Sequence, residues 1–240
     1  MQDAFASLPY SIRHSDKARR VILRLSRQGE LEVVTPRGFD PRRLPEVLAR
    51  KADWIARTRA RLLRESAAAG LAPGLPDAIL LRAVNERFSV AYADEAAGKA
   101  RLAEIPGGVA VTGLGHAPDP DGAARTLLRG WLRAQAARHL PPWLAAVSRR
   151  TGLAYAAVRL RSQKSRWGSC SSKKHISLNC KLLFLPPECV EYILVHELCH
   201  TRHMNHSPAY WAEVARHSPD MARIDRAMAK AWRYVPLWAD

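Results

Sequence analysis

The sequence predicts an α+β protein: a small antiparallel sheet packed on a helical core, with a basic hairpin-and-helix region at the N-terminal end. Three observations carry this prediction. Short apolar runs, several of them alternating and separated by Gly, Pro and Asn turns, dominate the first half. Longer amphipathic runs, opened by Ser-Pro caps or paired prolines, dominate the second. The two kinds meet at a Gly/Pro/Asp-rich stretch from Gly113 to Gly122. That stretch sets an internal boundary, with a basic, strand-rich region holding one helix over 1–118 and a helical region over 119–240.

Taken in order, residues 1–9 are a short lead. Arg20 to Leu25 alternates in part, Gln28-Gly29-Glu30 turns, and Leu31 to Val34 returns, which predicts a hairpin. Arg13, Lys17, Arg19, Arg20, Arg24 and Arg27 give it a basic face. Asp40-Pro41 opens a helix whose apolar stripe is Leu44, Val47, Leu48, Ala52, Ile55 and Leu62, with Trp54 placed to anchor it to the hairpin. Residues 66–76 form an Ala/Gly/Pro loop. Ile79–Val84 and Phe88–Tyr92 read as strands around Asn85-Glu86. Arg101–Ile105 and Val109–Val111 pair around Pro106-Gly107-Gly108.

A long amphipathic helix follows from Ala123 to about Arg150, with a break expected at Pro141-Pro142. Ala157–Arg161 reads as a strand and His175–Asn179 as its return. Pro186-Pro187 ends the sheet and opens the next helix. Ser218-Pro219-Asp220 repeats the cap signal, and a last helix runs to about Arg233.

That middle helix carries His196-Glu197-Leu198-Cys199-His200. Two histidines four apart project from one face, one turn apart, so both imidazoles can hold one zinc ion. Glu197 then lies beside the metal, where a carboxylate can take a proton from zinc-bound water. A catalytic zinc needs a third protein ligand, and His203, His206 and Glu213 are the candidates. His203 shares the helical face of His196 and His200, and three ligands along one straight helix cannot surround a metal. His206 is better placed. The first helix should stop near Asn205, Ser207-Pro208 should open a second, and His206 should sit in the turn between. His203, Tyr210 and Arg202 are candidates for stabilising an oxyanion, and Trp167 and Gly168 for contacting substrate.

Composition narrows the class. Hydrophobic residues make up 48% of 240, ordinary for a folded chain with ample core. The N-terminal residues lack the basic and apolar regions of a signal peptide, and no run approaches a bilayer span, so a cytoplasmic protein without membrane contact is expected. The four cysteines, Cys170, Cys180, Cys189 and Cys199, match no CxxC zinc pattern and read as reduced thiols, with Cys199 facing away from the histidines. The formal charge of +16 attracts polyanions such as DNA. Arg159, Arg161, Lys164, Arg166, Lys173 and Lys174 are the candidate contacts, and a solvated basic face is the plainer account of them.

Several segments together resemble the YgjP-like zinc metallopeptidase family, related to the SprT-like and WLM peptidases. They are Trp167–Ser171, Ile176–Asn179, Tyr192–His200, Asn205-His206-Ser207 and Tyr210-Trp211. The resemblance covers about residues 10 to 236, including Lys51–Ile55, and so places both regions within one family domain. It implies a zincin-type core, one zinc per chain held by His196, His200 and His206, and Glu197 as the catalytic base. Tyr210 departs from the family's usual phenylalanine. The ligand spacing also matches metzincins, but His203 stands where they need a turn glycine. The related Spartan-type enzymes act on proteins trapped on DNA, which would suit the basic charge.

The leading expectation is a zinc-dependent hydrolase of peptide bonds in proteins. The alternative is a nucleic-acid-associated binding module with a structural zinc, which would have no need of Glu197. A third reading, hydrolysis of a non-peptide amide, is weakened by the strand before the helix, whose edge suits an extended peptide.

Overall fold

Strand order is set by one move made three times. A strand is followed by a hairpin whose second arm inserts between the other two strands, so the first and third strands run parallel. The computed structural model describes residues 9–68, 74–93 and 98–240, apart from the side chain of residue 68. The N-terminal lead and the centre of the 66–76 loop lie outside them. Two compact units result, Met1–Pro73 and Gly74–Asp240. The division falls in the Ala/Gly/Pro loop, and the Gly113–Gly122 stretch is inside the second unit.

In the first unit β1 (Tyr10–His14), β2 (Ile22–Leu25) and β3 (Leu31–Thr35) form a sheet of order β1-β3-β2. The β2–β3 pair is antiparallel and β1 runs parallel to β3. Asp40 caps a 3₁₀ turn over Pro41–Arg43, which leads into α1 (Leu44–Arg50) and α2 (Ala52–Ala68). Leu31, Val33, Leu44 and Ile55 make the core. Trp54 stays 41% exposed, so Ile55, one residue on, is the buried anchor of α2. Gly29 takes φ 78° at the turn, and Arg59 of α2 crosses it to donate to the Gly29 carbonyl at 3.1 Å.

The second unit holds a four-stranded sheet, β4 (Ala78–Leu81), β5 (Glu86–Ala93), β6 (Arg101–Ile105) and β7 (Gly108–Thr112), in the order β4-β5-β7-β6. Its inner residues Ile79, Leu81, Val109 and Val111 share one core with α3 (Pro120–Thr151). This helix runs unbroken through Pro141-Pro142. Each proline removes one backbone hydrogen bond, a cost of about 3 kcal/mol or more in a free helix. Burial of Leu140, Leu144 and Val147 around them offsets it. A predicted break therefore loses to packing.

The last sheet is β8 (Ala157–Arg161), β9 (Gly168–Cys170) and β10 (His175–Asn179), in the order β8-β10-β9. Here the expected antiparallel return is corrected, because β10 runs parallel to β8 and antiparallel to β9. The reason is the short strand β9, which turns the chain once more before β10 enters the middle seat. The sheets are therefore mixed throughout, not antiparallel. After them come α4 (Pro187–Cys199), α5 (Pro208–His217) and α6 (Met221–Met228), and α6 stops earlier than expected, giving way to 3₁₀ turns. Among the described residues there are six α-helices and no helix long and apolar enough to cross a membrane.

Candidate metal centre and active site

Helix α4 is apolar nearly all round, as befits a helix inside a core. Val190, Leu194, Val195 and Leu198 are wholly buried, each contributing about 1.5–3 kcal/mol. The helix, and with it His196, Glu197 and His200, is thus set mainly by packing. It ends at Cys199, not near Asn205. The Cys199 carbonyl accepts from the N–H groups of both Arg202 and His203, and Thr201 folds its hydroxyl back on the Leu198 carbonyl, so the chain turns one residue after the helix ends. Residues 201–206 form a loop, and α5 begins where Ser207 accepts from the Tyr210 N–H and Pro208 takes the first helical position.

The turn brings His206 back to the helix. One ring nitrogen from each of His196, His200 and His206 lies within 4.8 Å of the other two. The Nε2 atoms of His196 and His206 are 3.4 Å apart. Two nitrogens each about 2.0–2.1 Å from a tetrahedral zinc would stand about 3.3 Å apart, so this donor pair fits such an ion. His200 donates from Nδ1 to the His203 carbonyl at 2.9 Å, which leaves its Nε2 lone pair free for a metal. Burial, then the neighbouring His200 and His206, push His196 down to about 4 from 6.5, which keeps its ring neutral. His200 is lowered too, mainly by burial. Neutral imidazoles are the ligand form.

Glu197 is 4% exposed, and burial pushes its carboxyl up to about 8, with Arg166 pulling it back. Its Oε2 is buried with no hydrogen-bond partner among the described residues, as is His196 Nδ1. Gly168 explains how this carboxylate is seated. A side chain there would place its Cβ 2.7 Å from Glu197 Cγ and 2.8 Å from Cδ, so only glycine leaves room for it. Asn179, fully buried, donates to the Gln163 and Arg166 carbonyls and thereby ties down the loop before β9. Strand β9 is a sheet edge. Trp167 accepts from the Asn179 N–H, and Ser171 donates to the His175 carbonyl. In an antiparallel ladder this alternation turns the N–H and C=O of Gly168 and Cys170 towards the open edge.

The remaining predicted residues are distributed as follows. His203 lies outside the histidine cluster and contributes its carbonyl. Tyr210 is wholly buried, stacks on His200 at 4.5 Å and donates its hydroxyl to the His196 carbonyl at 3.3 Å. Trp167 is buried against Trp232, with centroids 4.2 Å apart, so it backs the site from inside. Glu213 lies outside the histidine cluster; it accepts from Arg202 at 2.9 Å and lies 3.3 Å from His217 Nε2. Cys199 is buried and outside the cluster, its thiol pushed up to about 12 by burial. Arg159, Arg161, Lys164, Arg166, Lys173 and Lys174 are all exposed.

Three supports were not legible beforehand. Trp211 stacks on His206 at 5.6 Å. The Tyr192 hydroxyl donates to Asp225 at 2.9 Å, joining α4 to α6. Asn179 forms the staple described above. Trp211 had a signal, since it follows Tyr210 one helical turn after His206. Asn179 and Asp225 had none, because their partners are distant in sequence.

A model of the YgjP-like metallopeptidase domain matches residues 19–231. The chain belongs to the YgjP-like metallopeptidase family. The family assignment supports peptidase activity and implies a metal, and the three-histidine cluster is where the described residues could hold one. Among solved structures, the chain is similar to the metallopeptidase zymogen of Pyrococcus abyssi abylysin. The two are 34% identical over 36% of this chain and 90% of that one, with a TM-score of 0.33. No curated protein matches.

Proposed function

We propose that this YgjP-like chain is a zinc-dependent peptidase that cleaves proteins, with His196, His200 and His206 as the metal ligands and Glu197 as the general base. The observation that carries the reading is the gathering of three imidazoles, two of them on α4 kept neutral by burial, around one point beside a buried glutamate. Zinc held there would polarise the scissile carbonyl and make water nucleophilic near neutral pH. An extended substrate pairs with the outward N–H and C=O groups of Gly168 and Cys170, which holds its scissile bond at the histidine cluster. Positive charge at the three histidines would hold the Glu197 carboxylate ionised, and its Oε2, with no hydrogen-bond partner among the described residues, takes a proton from the attacking water and hands it to the departing amine nitrogen. Gly168 keeps that carboxylate in place by having no side chain.

The alternative, a nucleic-acid module with a structural zinc, is disfavoured by the ligand count. Structural sites are closed by four protein groups, and the cluster among the described residues has three members, with no cysteine. The test is zinc content and peptide hydrolysis for wild type and Glu197→Gln. About one zinc in both proteins, with kcat in the variant lower by about 10²–10⁴, is the expected result. Equal cleavage by the two would remove Glu197 from the reaction.

A further inference from the structure

Strand β9 is flanked at both ends by exposed cations. Lys164 and Arg166 lie in the loop that leads into it, and Lys173 and Lys174 in the turn that leaves it. Arg159 and Arg161 lie on β8, the opposite edge of the same sheet. All six are exposed, and none forms an ion pair among the described residues. There is no Asp or Glu between Arg159 and Lys181 to offset them. The seventh cation of this stretch, Lys181, is different: it is buried and paired with Asp240 at 2.9 Å. Elsewhere on the unit, arginines such as Arg125, Arg150 and Arg202 each have a carboxylate partner. Lys164, Arg166, Lys173 and Lys174 thus leave uncompensated positive charge at both ends of the edge strand that adjoins Glu197.

We propose that this basic rim selects acidic segments of protein substrates, binding Asp or Glu side chains on either side of the scissile bond. The inference rests on the peptidase reading and names its substrate class. Strand β9 is three residues long, about 10 Å at roughly 3.3 Å per residue. An extended peptide lying along it reaches both pairs of cations within about six residues. A surface of one sign beside a buried site raises the local concentration of oppositely charged ligand by about 10–10³.

A nucleic acid would meet the same charges, but the face lacks what single strands use besides charge. Trp167 is the one aromatic residue between Arg159 and Lys174, and it is buried against Trp232, so it offers no platform for stacking a base. The open backbone groups of β9 instead suit a polypeptide.

The experiment uses fluorogenic peptides with one neutral core and flanks of Asp/Glu, Ser/Gln or Lys/Arg. They are assayed for KM and kcat on the full chain and on the double variant Lys164→Glu/Lys173→Glu, at low and high salt. In parallel, the anisotropy of each peptide and of a single-stranded DNA oligonucleotide is titrated with Glu197→Gln. In wild type the acidic peptide is preferred over the basic one by about tenfold or more, mainly through KM, and salt narrows the gap. In the double variant the order reverses. Cleavage of all three peptides with equal KM in both proteins would overturn the inference while leaving the peptidase reading intact. If nothing is cut but Glu197→Gln still binds the acidic peptide best, the peptidase reading fails and the basic rim stands as a site for acidic segments. Binding of the oligonucleotide without binding of the acidic peptide overturns it in favour of nucleic acid.

Discussion

Helix α4 is buried on almost every side, whereas the loop that returns His206 to it is open to solvent. Two of the proposed ligands, His196 and His200, and the glutamate thus sit on an element fixed by core packing. The third proposed ligand, His206, sits on one fixed by a few contacts: His200 to the His203 carbonyl, Arg202 to Glu213, and Trp211 against the His206 ring. The difference teaches that, on the proposed reading, the half of the site on α4 is preformed and the half that His206 completes is the more easily adjusted.

The contrast can be tested from its strongest consequence to its weakest. Gly168→Ala pushes a methyl group into the Glu197 side chain. A displacement of about 1 Å costs about 10² in rate, so kcat should fall by that order while zinc content is kept. Ser169→Ala, whose side chain alternates to the other face of β9, should change little. Equal effects from the two would show that the glycine does not seat the carboxylate.

Glu213→Ala frees Arg202 and should weaken zinc binding by about tenfold in a chelator competition, with little change in melting temperature. An unchanged affinity would mean that the loop holds its shape without this latch.

In the metal-free protein Glu197 titrates near 8 and His196 near 4. The raised carboxyl contributes stability that is complete below about 4.5 and is lost as pH rises to about 8. The depressed imidazole acts oppositely, its contribution present above 6.5 and lost as pH falls through about 4. Between about 6.5 and 8 only the first effect operates, so metal-free stability should decline with rising pH. Glu197→Gln should flatten that slope in a series of urea titrations.

The smallest effect expected is that of metal removal on the fold. With α4 held by Val190, Leu194, Val195 and Leu198, chelation should leave far-ultraviolet circular dichroism nearly unchanged. Cooperative unfolding on chelation, as in small zinc domains, would break the claim that packing fixes the helix.

The sequence by itself determined the local features. Spacing of four placed His196 and His200 on one face, Ser207-Pro208 marked the start of α5, and the residues between them left His206 in the turn. The α+β class and most strands followed from alternation and turn residues. These signals are local, set by backbone geometry over a few residues, and so can be read without the rest of the chain.

Tertiary structure alone decided the rest. It placed β10 between β8 and β9, and so exposed the β9 edge beside Glu197. It carried α3 through two prolines, and ended α4 nearly two turns before the expected stop. It assigned Glu213 to Arg202, and gave Gly168 the task of making room for a carboxylate 29 positions later in the chain. Each of these depends on which distant surface a residue meets, and packing and long-range pairing settle that only when the whole chain is assembled.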